Sequence, residues 1–228
     1  MRAFRAARTR SLARVPDGEE KESIARLFVA LDLPADVLGK IGKWQAQALS
    51  DPALRPMPAE TLHITLCFLA HRAEREIPRI EAVIRAIEPR PVELRFEPEP
   101  RAMPKGRPRL YTLGAVSESA VALQSELAEA LASERLYEPE DRHFWPHVTV
   151  ARVRSERLAP ERGQRRGKSR PKRIRKAPGP LPKSVEQPFD AVRVVLYRSN
   201  LKPQGAEYIA LSGVDLPSTR GVQGSRTD

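Results

Sequence analysis

Two short stretches of the sequence place a histidine and a threonine two residues apart, each between apolar neighbours. They read "HITL", with His63 and Thr65, and "HVTV", with His147 and Thr149. Side chains two residues apart in a strand project from the same face, so each histidine would share a face with its threonine. With four histidines and seven threonines in 228 residues, a chance repeat of this spacing is rare.

A pair of histidines can supply both proton transfers that cleavage of a phosphodiester requires. Histidine titrates near neutral pH, so one imidazole can accept a proton from the attacking oxygen while the other donates one to the leaving oxygen. A threonine hydroxyl on the same face can donate to a non-bridging phosphate oxygen. No cluster of carboxylates accompanies either histidine. The two motifs therefore predict acid–base chemistry on a cyclic phosphate, with no metal and no other cofactor.

Hydrophobic periodicity predicts the elements that would position the motifs. The order strand, helix, histidine strand occurs twice, which predicts an α+β fold of two related lobes whose histidine strands face one cleft. On this pattern the strands lie at 25–34, 61–70, 91–98, 107–116, 143–152, 189–201 and 206–216, and the helices at 35–51, 75–89 and 117–136, the last with a serine as N-cap.

The alternation in the first histidine strand assigns each residue to a face. Leu62, Ile64, Leu66 and Phe68 fall on one side, and Cys67 falls on the other with His63 and Thr65. The single cysteine excludes an intrachain disulfide. It is either a small half-buried thiol or a nucleophile, and a zinc site with the two motif histidines would match no known ligand spacing.

The positive charge of the chain is concentrated outside the predicted elements. Lys and Arg number 40 against 29 acidic residues, and residues 159–183 alone contain ten bases and one acid. We predict a flexible extension at 1–24, a folded domain at 25–216 containing a disordered basic loop at 157–185, and a tail at 217–228. The extension is either a transit peptide or an overhang. The loop either binds RNA phosphates or is a solvated expansion.

The chain resembles a known family through these motifs and their surroundings. "RLFVALDLP", "LHITLCFL", "RPRLYTLG", "RHFWPHVTVAR" and "VVLYRSNLKPQGAEYIAL" occur in the order found in the 2H phosphoesterase superfamily, in its RNA 2′,3′-cyclic phosphodiesterase branch, the LigT-like 2′-5′ RNA ligases. The resemblance covers residues 26–216. Two departures are a longer basic insert after Arg154 and His143 at a position where the family has proline.

The resemblance implies a bilobal 2H phosphoesterase fold with two pseudo-symmetric sheet-plus-helix lobes around a central cleft. It implies hydrolysis of RNA 2′,3′-cyclic phosphate ends to 2′-phosphomonoesters, and with a 5′-hydroxyl as nucleophile the formation of a 2′-5′ linkage. The roles of the family's two motif histidines, applied to this chain, imply that His63 donates a proton to the leaving 3′ oxygen and that His147 activates water. Thr65 and Thr149 hold the phosphate. The expected protein is a cytoplasmic monomer that binds RNA and neither a membrane nor a metal.

Several interpretations stay open at the level of the sequence. Arg142 and Arg152 either contact phosphate or flank the strand, and Trp44 and Trp145 either stack on bases or lie in the core. His71 is expected on a surface loop, and His143 at the rim of the cleft. The rival functions are a non-catalytic RNA-binding module and a 2H phosphodiesterase for a small cyclic nucleotide.

Overall fold

The computed structural model describes residues 23–157, 169–202 and 205–219. This part of the chain contains three α-helices and twelve strands. In chain order they are β1 (Ile24–Asp32), α1 (Ala35–Ala48), β2 (Leu54–Pro56), β3 (His63–Ala73), α2 (Ile77–Arg85), β4 (Glu93–Phe96), β5 (Arg101–Met103), β6 (Leu110–Val116), α3 (Glu118–Ser133), β7 (His147–Val153), β8 (Ser155–Arg157), β9 (Ser169–Pro171), β10 (Phe189–Asp190), β11 (Arg193–Lys202) and β12 (Gly205–Asp215).

The two histidine strands are neighbours at the centre of a large antiparallel sheet. The strand order is β10-β4-β6-β7-β3-β1-β11-β12, with β2 added to β7 and β5 added to β6. β3 and β7 meet at one register position, Ile64 opposite Val148. Each histidine strand pairs with the strand that precedes it across a helix, β1 before β3 and β6 before β7. The predicted α+β class is confirmed, and the sheet dominates it.

The helices cover the sheet through the apolar faces that the periodicity predicted. α3 buries Leu123, Leu127 and Leu131, and the hydroxyl of Ser117 accepts a hydrogen bond from the first turn, which confirms the predicted N-cap. α2 is shorter than its predicted range and buries Ile80 and Ile84.

α1 buries Trp44, which answers one of the open interpretations. The side chain is 4% exposed, and its indole N–H donates to the carbonyl of Pro180 at 3.1 Å. Trp44 is therefore a core residue that also holds a loop, and it presents no face on which a base could stack.

A β-bulge in each histidine strand changes the predicted alternation. In β3, Ala30 pairs with Thr65 and Val29 with Cys67, so Leu66 is the extra residue. Past the bulge, Cys67 is fully buried and Phe68 is 41% exposed. The predicted faces of Cys67 and Phe68 were therefore wrong, because one inserted residue exchanges the two faces of the strand until the next register shift, which lies at Leu69.

The second bulge lies at the equivalent place in β7. Thr112 pairs with Thr149 and Tyr111 with Ala151, so Val150 is the extra residue. The buried amide of Gln45 on α1 donates to the carbonyl of Val150 at 2.8 Å and to that of Met57 at 3.0 Å. α1 thus supplies a second hydrogen bond to the carbonyl of the bulged residue, which also accepts from the backbone N–H of Met57 at 2.9 Å.

The predicted disordered loop at 157–185 differs from the structure over residues 169–185. β9 pairs with β8, and the carboxylate of Asp51 accepts from the backbone N–H groups of Arg175 and Lys176 at 2.7 and 2.8 Å. Leu181 and Val185 are buried. The prediction of disorder relied on repulsion between the basic side chains. In the structure these side chains extend into solvent, and the backbone of the segment is hydrogen-bonded to β8 and to Asp51. Residues 158–168 lie outside the described residues.

The predicted ends of the domain also shift slightly. β1 begins at Ile24, and Ser218 and Thr219 of the predicted tail donate to the carboxylate of Asp190. The remainder of the predicted extension and tail, residues 1–22 and 220–228, lies outside the described residues. No helix of the described chain has the length and apolar composition that crossing a membrane requires.

The bonds from Gln45 lead to a prediction about stability. Gln45→Met keeps the side-chain volume but leaves two buried carbonyls with fewer partners, so the free energy of unfolding should fall by about 1–3 kcal/mol. Urea denaturation measures the change. Gln47→Met, on the exposed face of the same helix, is the matched control and should differ little. Equal stability of the two variants would contradict the role given to Gln45.

Candidate active site

Each motif histidine is the first residue of its strand and is fixed by a backbone carbonyl two residues before it. Nδ1 of His63 lies 2.9 Å from the carbonyl oxygen of Thr61, and Nδ1 of His147 lies 2.8 Å from that of Trp145. A carbonyl oxygen can only accept, so Nδ1 carries the proton in both rings. In the neutral imidazole this leaves Nε2 as the acceptor in both histidines.

Aromatic rings hold the imidazole of His63 in place. Phe28 stacks on it with centroids 4.8 Å apart, and Tyr208 meets it edge-on at 5.2 Å. Tyr197 also stacks on Phe28, with centroids 5.3 Å apart, and its hydroxyl donates to Asp32 at 2.7 Å. Asp32 is the cross-strand partner of His63. The sequence analysis did not identify these supporting residues, because they come from β1, β11 and β12.

Trp145 holds the imidazole of His147 in a comparable way. The two rings stack with centroids 4.8 Å apart, and the guanidinium of Arg101 lies over the indole at 4.8 Å. Trp145 is therefore half-buried against the histidine.

Gly114, opposite His147 in the sheet, makes room for this stack. A Cβ atom at that position would lie 2.6 Å from Trp145 and 1.9 Å from the carboxylate of Glu97. The glycine in "YTLGAV" was a signal in the sequence that the analysis did not use, since its meaning depends on the neighbouring strands.

The two motifs line one small cavity. Its volume is about 130 Å³, and both histidines, both threonines and Arg152 face it. The β7 bulge explains the position of Arg152, because without the extra residue it would share the buried face of Val148. The other lining residues, which sequence reasoning missed, are Met57, Thr61 and Tyr208.

Arg142 does not join the other predicted site residues. Its guanidinium pairs with Glu140, its side chain is 77% exposed, and it does not line the cavity. The expectation that Arg142 contacts phosphate therefore has no support in the geometry, because it precedes the strand that orients Arg152. His71 is exposed, as expected of a surface residue, and His143, expected at the rim of the cleft, is also exposed; neither lines the cavity.

Burial controls the electrostatics of His63. Withdrawal from water lowers its pKa from 6.5 to about 4; His147 lowers it further, while the Thr61 carbonyl and Asp32 oppose the shift. Without a ligand, His63 is therefore neutral at pH 7. A bound anion would raise this pKa again, because an opposite charge close to a desolvated imidazole favours its charged form.

Cys67 takes no part in this site. It is fully buried, and burial raises the pKa of its thiol to about 12, so the thiolate is strongly disfavoured. The bulge turns it away from the cavity that His63 and Thr65 line. Within the described ranges, no group of three or more His, Cys, Asp or Glu side chains is placed to hold a metal ion. The open interpretations of a nucleophile or zinc ligand at Cys67 therefore find no support.

Comparison with known proteins agrees with the architecture. The sequence model of the 2′-5′ RNA ligase superfamily matches residues 33–175. An RNA 2′,3′-cyclic phosphodiesterase of Thermus thermophilus is 29% identical, with 86% of this chain and 92% of the relative covered. One of Methanocaldococcus jannaschii is 28% identical, with 80% and 96% covered.

Solved structures give the same result for the fold. A crystal structure of a protein of T. thermophilus superposes with a TM-score of 0.64 at 26% identity, covering 85% of this chain and 99% of the other. That of Escherichia coli LigT complexed with 3′-AMP gives a TM-score of 0.63 at 22% identity, with 85% and 99% covered.

The lowered pKa of His63 predicts how stability depends on pH. Between about pH 4 and 6.5 the unfolded chain binds a proton at this residue that the folded chain does not. The free energy of unfolding should therefore fall as the pH falls through this window, with a contribution from His63 on the order of 3 kcal/mol. Urea denaturation across the window measures it.

The matched variants are His63→Gln and His71→Gln, the second at an exposed histidine. His63→Gln should lose less stability on acidification than the wild type, and His71→Gln should follow the wild type. An unchanged pH dependence in His63→Gln would show that His63 titrates normally in the folded protein.

Proposed function

The chain belongs to the 2′-5′ RNA ligase superfamily, and from this membership and the site we propose that it hydrolyses RNA 2′,3′-cyclic phosphate ends to 2′-phosphomonoesters. The observation that carries the proposal is the cavity of about 130 Å³ lined by His63, His147, Thr65, Thr149 and Arg152. The relatives in T. thermophilus and M. jannaschii are RNA 2′,3′-cyclic phosphodiesterases, which supports the same substrate class.

The two histidines divide the proton transfers of this reaction. A water oxygen forms a bond to phosphorus as Nε2 of His147 takes its proton, and the bond from phosphorus to the 3′ oxygen breaks as Nε2 of His63 protonates that oxygen. The 2′ oxygen keeps the phosphate. The carbonyl bonds to both Nδ1 atoms support these roles, because they hold the rings in the orientation that proton transfer at Nε2 requires.

Three other lining residues can stabilise the negative charge of the phosphate. The hydroxyls of Thr65 and Thr149 can donate to its non-bridging oxygens, and the guanidinium of Arg152 brings a positive charge to the same cavity. Charge that develops in the transition state would thus meet donors that are already in position. Acid, base and phosphate donors all come from side chains, so the proposed reaction uses no metal.

The donor role of His63 depends on the substrate. With its pKa near 4 the free imidazole is neutral at pH 7, whereas the donor must start protonated. The phosphodiester anion supplies the compensating charge when it enters the cavity. This coupling favours proton uptake by His63 where a phosphate is bound.

One chain supplies both histidines and the other lining residues of the cavity. The proposal is therefore that of a monomeric enzyme, acting on RNA in the cytoplasm. A 5′-hydroxyl in place of water would form a 2′-5′ linkage, so a joined, longer strand distinguishes ligation from hydrolysis, whereas the isomer of a phosphomonoester product shows which P–O bond was broken.

Removal of either motif histidine should abolish most of the activity. His63→Ala and His147→Ala should each lower turnover of an oligoribonucleotide with a 2′,3′-cyclic phosphate end by at least ~10²-fold, because each removes one proton-transfer partner. The double variant should lose less than the product of the two single losses. Chromatography of the products, with EDTA present, measures turnover and identifies the isomer.

The other two histidines provide the controls. His71→Ala and His143→Ala remove the same side chain outside the cavity and should leave turnover unchanged. Near-wild-type turnover in either motif variant, with the fold intact by circular dichroism, would refute the site. Loss of wild-type activity in EDTA that added zinc restores would refute the metal-free mechanism.

A sulfur-substituted substrate tests which histidine is the acid. If sulfur replaces the bridging 3′ oxygen of the cyclic phosphate, the leaving thiolate needs no proton. His63→Ala should then lose at least ~10-fold less activity on this analogue than on the oxygen substrate, whereas His147→Ala should lose the same on both. Rescue of His147→Ala in place of His63→Ala would exchange the two roles.

A further inference from the structure

Next to the catalytic cavity lies a groove with a strongly positive lining. We call it the basic groove; it has a volume of about 780 Å³ and is lined by Arg55, Arg109, Arg152, Arg154 and Lys172 together with apolar and hydroxyl residues. No carboxylate is among its lining residues. Four of the five bases belong to strands or turns of the main sheet, and Lys172 directly follows β9.

Backbone pairing forces these charges together. Arg55 on β2 lies directly opposite Arg152 on β7. The carbonyl of Arg109 accepts from Val153 at 2.8 Å, and the carbonyl of Arg154 accepts from Lys172 at 2.8 Å. The sheet and the β9 segment therefore fix the spacing of the five side chains.

A bound anion would relieve the repulsion within this arrangement. Like charges directly opposite each other in a sheet destabilise it. Among the described residues, no salt bridge joins Arg109, Arg152, Arg154 or Lys172 to a carboxylate. Other exposed arginines of the chain do pair, such as Arg170 with Glu156 close by.

The basic groove adjoins the catalytic cavity at Arg152. Arg152 lines both, and it also lines an open cleft of about 800 Å³ between them. The cleft shares Tyr208 with the catalytic cavity and Arg55 with the basic groove. A strand whose end lies between the two histidines therefore has a path past Arg152 onto the basic groove.

We propose that the basic groove binds the sugar-phosphate backbone of the RNA strand on the 5′ side of the cyclic phosphate end. This inference rests on the proposed function. The terminal nucleoside occupies the cleft beside Tyr208, and the preceding phosphates lie against Arg109, Arg154 and Lys172. Guanidinium groups suit this ligand because their forked donors match two phosphate oxygens at once. The contacts go to phosphates and so select for length of strand and not for base sequence.

The test neutralises the groove without touching the catalytic cavity. The groove variant is Arg109→Gln, Arg154→Gln and Lys172→Gln combined, which spares Arg55 and Arg152. The control variant, Lys43→Gln, Arg95→Gln and Lys183→Gln, removes the same charge from exposed positions outside the groove. Substrates are a mononucleoside 2′,3′-cyclic phosphate and cyclic-phosphate oligoribonucleotides of increasing length.

In the wild type, kcat/KM should rise with strand length and fall with added salt. The groove variant should show on the order of tenfold lower kcat/KM on the longer strands, and the slope of log affinity against log salt should become about 2 smaller, since each single-strand phosphate contact contributes about 0.7. Turnover of the mononucleoside substrate should stay at the wild-type level. The control variant should follow the wild type on every substrate.

Two results would overturn the inference while leaving the proposed function intact. One is a groove variant that matches the control variant on long strands. The other is an equal loss on the mononucleoside and the long strands, which would place the groove residues in the catalytic step. Absence of wild-type turnover on all substrates would instead refute the proposed function.

Discussion

The pairing of β3 with β7 at Ile64 and Val148 is the contact on which the candidate site depends. Both side chains are fully buried, and they join the two halves of the sheet at one register position. Since alternate residues face opposite sides, burying this pair sends the histidines and threonines on either side of it to the opposite face. A slip of one residue in either strand would put that strand's histidine into the core. The hydrophobic core thus sets the register that brings the two imidazoles into one cavity.

The bulges adapt these two strands for different side chains beyond the motifs. In β7 the extra residue brings Arg152 to the cavity, and Gln45 supports the displaced backbone. In β3 the equivalent bulge brings out Phe68, with the guanidinium of Arg26 lying 4.8 Å from its ring centre. β7 therefore contributes a cation, Arg152, from the strand itself. β3 contributes the aromatic ring of Phe68, over which Arg26 of β1 lies. The site is symmetric in its motifs and asymmetric in the charge around them.

Burial of His63 in the cavity disfavours its protonated form but strengthens its attraction to a bound anion. Aromatic packing by Phe28 and Tyr208 orients His63 but also removes it from water, which drives its pKa down to about 4. The same low polarity strengthens any interaction between the imidazole and a bound anion. Burial thus lowers the pKa of the imidazole and, for the same reason, makes that pKa more sensitive to any anion that binds beside it. Asp32 provides part of the compensation, and Tyr197 and Arg193 hold its carboxylate through hydrogen bonds of 2.7 and 2.6 Å.

The sequence by itself determined the two motifs, the order of most elements and the α+β class, because these follow from local periodicity that survives without long-range contacts. It identified His63, Thr65, His147 and Thr149 as a set on the same ground. It left Arg142 and Arg152 equivalent, placed Cys67 on the wrong face and took residues 169–185 as disordered. The tertiary structure decided these points, since a bulge, a buried glutamine and the carboxylate of Asp51 act through residues far apart in the chain. The local sequence does not show which distant group will form a hydrogen bond with a given backbone N–H or carbonyl. Those long-range hydrogen bonds fix the path of the backbone and therefore the direction of each side chain.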